Sequence, residues 1–73
     1  PYRSNRDLPA AVRAHLPAAA QTTYRKAWNN AWKEYADPGM RRGRASREAT
    51  AHRVAWSAVK KSWRKQGDRW LKK

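Results

Sequence analysis

The sequence predicts an all-α fold, a compact bundle of one short and two long helices forming a single domain over residues 1–73. Three observations lead there. Apolar residues recur at intervals of three and four through two long stretches. Prolines and glycines punctuate the boundaries of those stretches rather than their interiors. The chain has no cysteine, five Trp and three Tyr, so the core must come from large aromatics and alanines rather than from disulfides. A chain this short buries only about 60% of the surface its unfolded form exposes, which makes each of those aromatics important.

The elements follow in order. Asp7-Leu8-Pro9 reads as a helix start, with Asp7 as N-cap and Pro9 tolerated in the first turn. This first helix covers 8–15 and stops before Pro17, because the residue preceding a proline avoids the α region. Pro17 opens a second helix reaching residue 35 or 36. Its stripe of Ala20, Tyr24, Ala27, Trp28, Ala31, Trp32 and Tyr35 faces the core, with Lys26, Asn29, Asn30 and Lys33 opposite. Asp37-Pro38-Gly39 is a stop-and-turn signal. Ser46 is a suitable N-cap for a third helix over 47–65, with Glu48 in its first turn and Gly67 as its C′ residue. Ala51, Val54, Ala55, Ala58, Val59 and Ser62 give that helix a buried face, with Trp56 and Trp63 along one edge. The chain ends, Tyr2-Arg3 and Arg69-Trp70-Leu71, could pair as a two-stranded ribbon, stable only if it packs on the helices.

Charge dominates the composition. Lys plus Arg number 18 against five acids, a net charge of +13. A field of that size concentrates polyanions, most commonly nucleic acid, and would also suit an acidic protein or an anionic membrane surface. No apolar run approaches the roughly 20 residues of a membrane span, and no signal-peptide pattern opens the sequence. A cytoplasmic location is expected, nucleoid-associated if the partner is DNA.

From residue 45 the sequence Ala45-Ser46-Arg47-Glu48-Ala49-Thr50-Ala51-His52-Arg53-Val54-Ala55-Trp56-Ser57-Ala58-Val59-Lys60 resembles the signature of the ChaB family. Pro1-Tyr2, Asp7-Leu8-Pro9, Leu16-Pro17, Ala20-Gln21, Tyr24, Ala27-Trp28-Asn29, Ala31-Trp32 and Tyr35 are similar to that family in order and spacing. The resemblance implies a small helical domain with a minor strand pairing of the ends. It also implies a regulator of a membrane cation–proton antiporter acting by protein–protein interaction. Family members often carry acids in the loop before the third helix, whereas here Met40–Arg44 holds three Arg and no acid. Such a loop repels a hard cation such as Ca²⁺, which needs several oxygen ligands, and attracts polyanions.

The candidate phosphate contacts are therefore Arg41, Arg42, Arg44 and Arg47, whose guanidinium forks fit phosphate oxygens. Arg53, Lys60, Lys61 and Arg64 on the far side of the third helix extend them. An ordinary solvated helix face is the plainer account of that stripe, weakened because few acids lie nearby to neutralise it. Tyr24, Trp28, Trp32 and Tyr35 sit at core spacing and are not expected to stack on bases, whereas Trp63 and Trp70 could be partly exposed. His15 and His52 lack the spacing of a metal pair, Glu48 and His52 form at most a local helical pair, and no cofactor or catalytic constellation is expected. The first functional expectation is a small nucleic-acid-binding protein, duplex DNA favoured over RNA, with weak sequence preference. The alternatives are the antiporter regulator and a binder or inhibitor of an acidic protein.

Overall fold

The computed structural model describes residues 2–37, 46–67 and 69–73. A 3-10 turn (Asn5–Asp7) leads into three α-helices, α1 (Ala10–His15), α2 (Ala18–Glu34) and α3 (Arg47–Ser62). Two strands follow, β1 (Trp63–Gln66) and β2 (Arg69–Lys72). The bundle is thus mostly helical, with a small antiparallel hairpin added to the expected helices.

The start of α1 differs from expectation. Asp7 does not cap it but closes the 3-10 turn, donating its N–H to the Ser4 carbonyl at 3.1 Å, and Pro9 takes the N-cap position. The turn seats Leu8, which is buried with Val12 and Leu16. Leu16 is extended (φ −113°, ψ 138°), as the clash with the following proline ring requires. Gln21 then reaches back from α2, its Nε2 donating to the Leu16 carbonyl at 2.8 Å and to the Arg13 carbonyl at 3.4 Å, so the next helix supplies a donor to two carbonyls at the end of α1.

Helix α2 buries Ala20, Tyr24, Trp28 and Ala31, and α3 buries Thr50, Ala51, Ala55 and Val59. Four of these eight are alanines, which lets the two helix backbones approach closely around the fully buried Tyr24. Trp32 stacks on Trp28 with ring centroids 4.9 Å apart and planes 12° from parallel. Trp32 and Trp56 are half-buried, so both indoles contribute to the core without being enclosed by it. Ser46 caps α3 as expected, its hydroxyl accepting from the Ala49 N–H at 3.0 Å.

Three further expectations are corrected. Helix α3 ends at Ser62 rather than residue 65, and Trp63 turns extended (φ −132°, ψ 149°) to begin β1. The ribbon therefore pairs β1 with β2, not the N-terminus with the C-terminus. Pairing of Gln66 with Arg69 leaves a two-residue connection, and Gly67 has φ +62°, the left-handed value that primed hairpin turns need at their first central position. Gly67 is a hairpin residue and not a helix C′ residue. The ladder continues past the strands, with Lys73 N–H donating to the Ser62 carbonyl at 2.9 Å. Trp63, Lys65, Trp70 and Lys72 share one face of the hairpin by register.

The N-terminal segment is held by α2 instead. Tyr2 N–H donates to Asn29 Oδ1 at 2.9 Å, and Asn29 Nδ2 donates to the Tyr2 carbonyl at 2.8 Å. The Tyr2 ring lies 4.6 Å from Trp28. Asn29, expected to face water, is half-buried for this reason. Asn5 adds a second tie, donating to Thr22 Oγ1 and accepting from Arg25 Nε. Among the described residues, no helix is long and apolar enough to cross a membrane.

Candidate binding surface

The eight cationic candidates separate into four groups. Arg41, Arg42 and Arg44 lie outside the described residues. Arg53, Lys60 and Lys61 are exposed on α3, with Arg53 and Lys60 seven residues apart on one side. Arg64 is exposed as well, but on β1, so it does not continue the helical stripe.

Arg47 has a different environment. It is half-buried; its Nε donates to the Trp32 carbonyl at 2.7 Å, and its guanidinium carbon sits 3.9 Å from the centroid of the Trp32 ring. That carbonyl belongs to the last turn of α2, where backbone acceptors have no partner within the helix and a cation is favoured by the helix dipole. Arg47 therefore fastens the start of α3 to the end of α2.

The hairpin brings in cations absent from the sequence-derived set. Lys65, Arg69, Lys72 and Lys73 are all exposed on or beside it. Between the C-terminal end of α3 and the hairpin lies an open groove of about 500 Å³, floored by Trp56, Trp63 and Trp70. Lys60, Arg64, Lys65 and Lys73 complete its lining. Of the expected contacts among the described residues, Lys60 and Arg64 belong to this groove. The signal that could have revealed the others is Gly67-Asp68 between two short runs that each contain a tryptophan, a two-residue hairpin connection.

Behind the groove, Trp56 meets Tyr24 edge-on, with centroids 5.6 Å apart, and His52 at 6.1 Å. The Tyr24 hydroxyl is hydrogen-bonded to His52 Nδ1 at 2.8 Å. Burial, with a smaller contribution from Tyr2, pushes the Tyr24 hydroxyl up to about 12. Tyr2 is also raised, by burial and by the carboxylate of Glu48. His52 thus spans the interface between α2 and α3, where the sequence suggested only a helical pair with Glu48. His15 makes a local bond, its Nδ1 donating to the Ala11 carbonyl at 2.6 Å. Among the described residues, no three of His, Cys, Asp and Glu gather as a metal-binding group.

The ChaB family model matches residues 8–73. Proteins of Escherichia coli K12, Escherichia coli O157:H7 and Shigella flexneri, each described as "putative cation transport regulator ChaB", are 50% identical to the chain over 74 aligned residues. Those alignments cover 100% of this chain and 97% of each relative. A solved structure, described as an NMR solution structure of the putative cation transport regulator ChaB, superposes with a TM-score of 0.81 at 50% identity. It covers 100% of this chain and 99% of its own.

Proposed function

The chain belongs to the ChaB family, and on that premise we propose that it is a non-enzymatic regulator in cation transport that acts by docking on an acidic protein surface. The observation that carries this reading is the full-length similarity to relatives described as cation transport regulators. The net charge of +13 and the exposed Arg53, Lys60, Lys61 and Arg64 supply the means of attraction. Complementary charge of this kind speeds encounter and orients the partners, while packing contacts set the residence time.

The test is cation–proton exchange by an antiporter reconstituted in proteoliposomes, with the protein added on the exposed side. Addition should change the exchange rate saturably, and the effect should weaken as salt screens the charges. Replacing Arg53, Lys60, Lys61 and Arg64 together by Gln should shift the half-maximal concentration upward. An exchange rate indifferent to the protein at low salt would refute the reading.

The charge balance supports a second reading, duplex DNA held through phosphates with weak sequence preference. Arg41, Arg42 and Arg44 would join the exposed α3 and β1 cations in that role. A mobility-shift titration decides it. A site of roughly 6–10 phosphate contacts loses about 10³–10⁵ in affinity between 50 and 200 mM salt. Absence of a shift at the lower salt concentration removes DNA as a partner.

A further inference from the structure

We propose that the groove between α3 and the hairpin is the docking site for an acidic peptide segment that inserts a large aliphatic side chain between the indoles. The inference deepens the protein-regulator reading and rests on it.

The floor and the rim of the groove ask for different things from an occupant. Trp56, Trp63 and Trp70 are each only half-buried although they pack against the core, so part of each indole in the groove remains open to solvent. Exposed tryptophans gathered in one concavity are the usual anchors of an interface. The rim cations Lys60, Arg64, Lys65 and Lys73 surround that surface, and among the described lining residues none is acidic. Every side-chain polar atom in this lining is a donor: indole N–H, ammonium or guanidinium. The matching ligand is apolar at its centre and carries acceptors without donors around it. Aspartate and glutamate flanking a leucine have that chemistry.

Other occupants fit less well. Trp56 and Trp70 are 6.0 Å apart and inclined by 36°, so they do not form parallel plates for a base. A nucleobase also carries donors on its edge, and the described lining residues offer no side-chain acceptor to receive them. A second copy of the chain would bring another +13 to the same rim. The floor is fixed in advance, because Trp56 is braced from behind by Tyr24 and His52 and the hairpin is anchored to Ser62. A preformed site avoids the ordering cost that otherwise weakens binding.

The test uses the intact ¹⁵N-labelled protein, following the indole N–H signals. Those of Trp56, Trp63 and Trp70 report on the groove, and those of Trp28 and Trp32 serve as internal references. The probe is a synthetic peptide of Asp and Glu around two central leucines. Its controls are the same peptide with serines for leucines, and single-stranded oligothymidylate. The leucine peptide should move the Trp63 and Trp70 signals saturably. The serine peptide should bind about tenfold or more weakly, the loss expected from one buried leucine. A Lys60→Gln, Arg64→Gln double variant, altered only at exposed positions, should also weaken binding while leaving the Trp28 and Trp32 signals in place.

Three results would overturn the inference. Peptide-induced shifts confined to residues outside the groove would leave the regulator reading standing and relocate its contact surface. Tighter binding of oligothymidylate than of peptide, with the Trp63 and Trp70 signals moving, would make the groove a nucleic-acid site. Equal affinity for the leucine and serine peptides, or none for either, would show that the indoles are not an anchor pocket. The antiporter assay then tests the regulator reading separately.

Discussion

Replacing Arg47 separates two roles that the same side chain could hold. Its Nε donates to the Trp32 carbonyl at 2.7 Å, and its guanidinium covers the Trp32 ring at 3.9 Å. A hydrogen bond to a charged donor contributes about 1.5–3 kcal/mol, toward the lower end for a half-buried pair, and a cation over an indole adds about 0.5–1 kcal/mol. Arg47→Met keeps the aliphatic stem but loses both, so it should cost about 2 kcal/mol. In a chain of 73 residues that corresponds to a fall in Tm of about 8–16 °C. Arg47→Lys preserves the charge but not the planar fork, and should fall between the wild type and the Met variant. Arg53→Lys, at an exposed position on the same helix, is the control and should leave Tm unchanged. Thermal unfolding followed by far-UV circular dichroism measures all three. An unaltered Tm for both Arg47 variants, with weakened polyanion binding, would refute the structural assignment and return Arg47 to the contact set.

Two further outcomes are expected within the core. Thr50 is buried, and its hydroxyl oxygen has no hydrogen-bond partner among the described residues, so Thr50→Val should stabilise the fold by about 1 kcal/mol, read as a higher urea midpoint; a lower midpoint would show that the hydroxyl is satisfied. Tyr24 keeps its proton in the folded state up to about 12 while the unfolded chain releases it near 10. The unfolded state therefore binds fewer protons in that window, and stability should fall by at most about 2 kcal/mol between about pH 10 and 12, less where solvent screens the half-buried hydroxyl. Tyr24→Phe should remove this component, and the two proteins compared across that range separate it from the titration of the lysines.

The parts of the fold legible in the sequence are those decided within a few residues. The Leu16-Pro17 boundary, the Ser46 cap and the spacing of Tyr24, Trp28 and Ala31 depend on local sterics, one side-chain hydrogen bond and helical periodicity. Two of the positions misread depend on residues distant in the chain. Asn29 has the polarity of a surface position, yet its amide satisfies both backbone groups of Tyr2 from 27 residues away. Arg47 has the chemistry of a phosphate ligand, and its commitment to Trp32 becomes visible only once α2 and α3 are side by side.

The hairpin shows most clearly how local signals can mislead about a binding site. Trp63 follows Trp56 by seven residues and Val59 by four, so periodicity carries the helix through it, and Gly67 then reads as a helix terminus. The same Gly67 serves equally well in a two-residue hairpin connection. What separates the two outcomes is the fate of Trp70. If α3 continued to residue 65, Trp56 and Trp63 would line one edge of a rod and no strand would bring Trp70 back. Breaking the helix at Ser62 pairs Lys65 with Trp70 and lays that indole 6.0 Å from Trp56. The same break moves Arg64 off the helical stripe and gathers it with Lys60, Lys65 and Lys73 around the three tryptophans. The residue types needed for the groove are evident from composition, but their assembly follows from one backbone reversal whose stabilising contact is non-local.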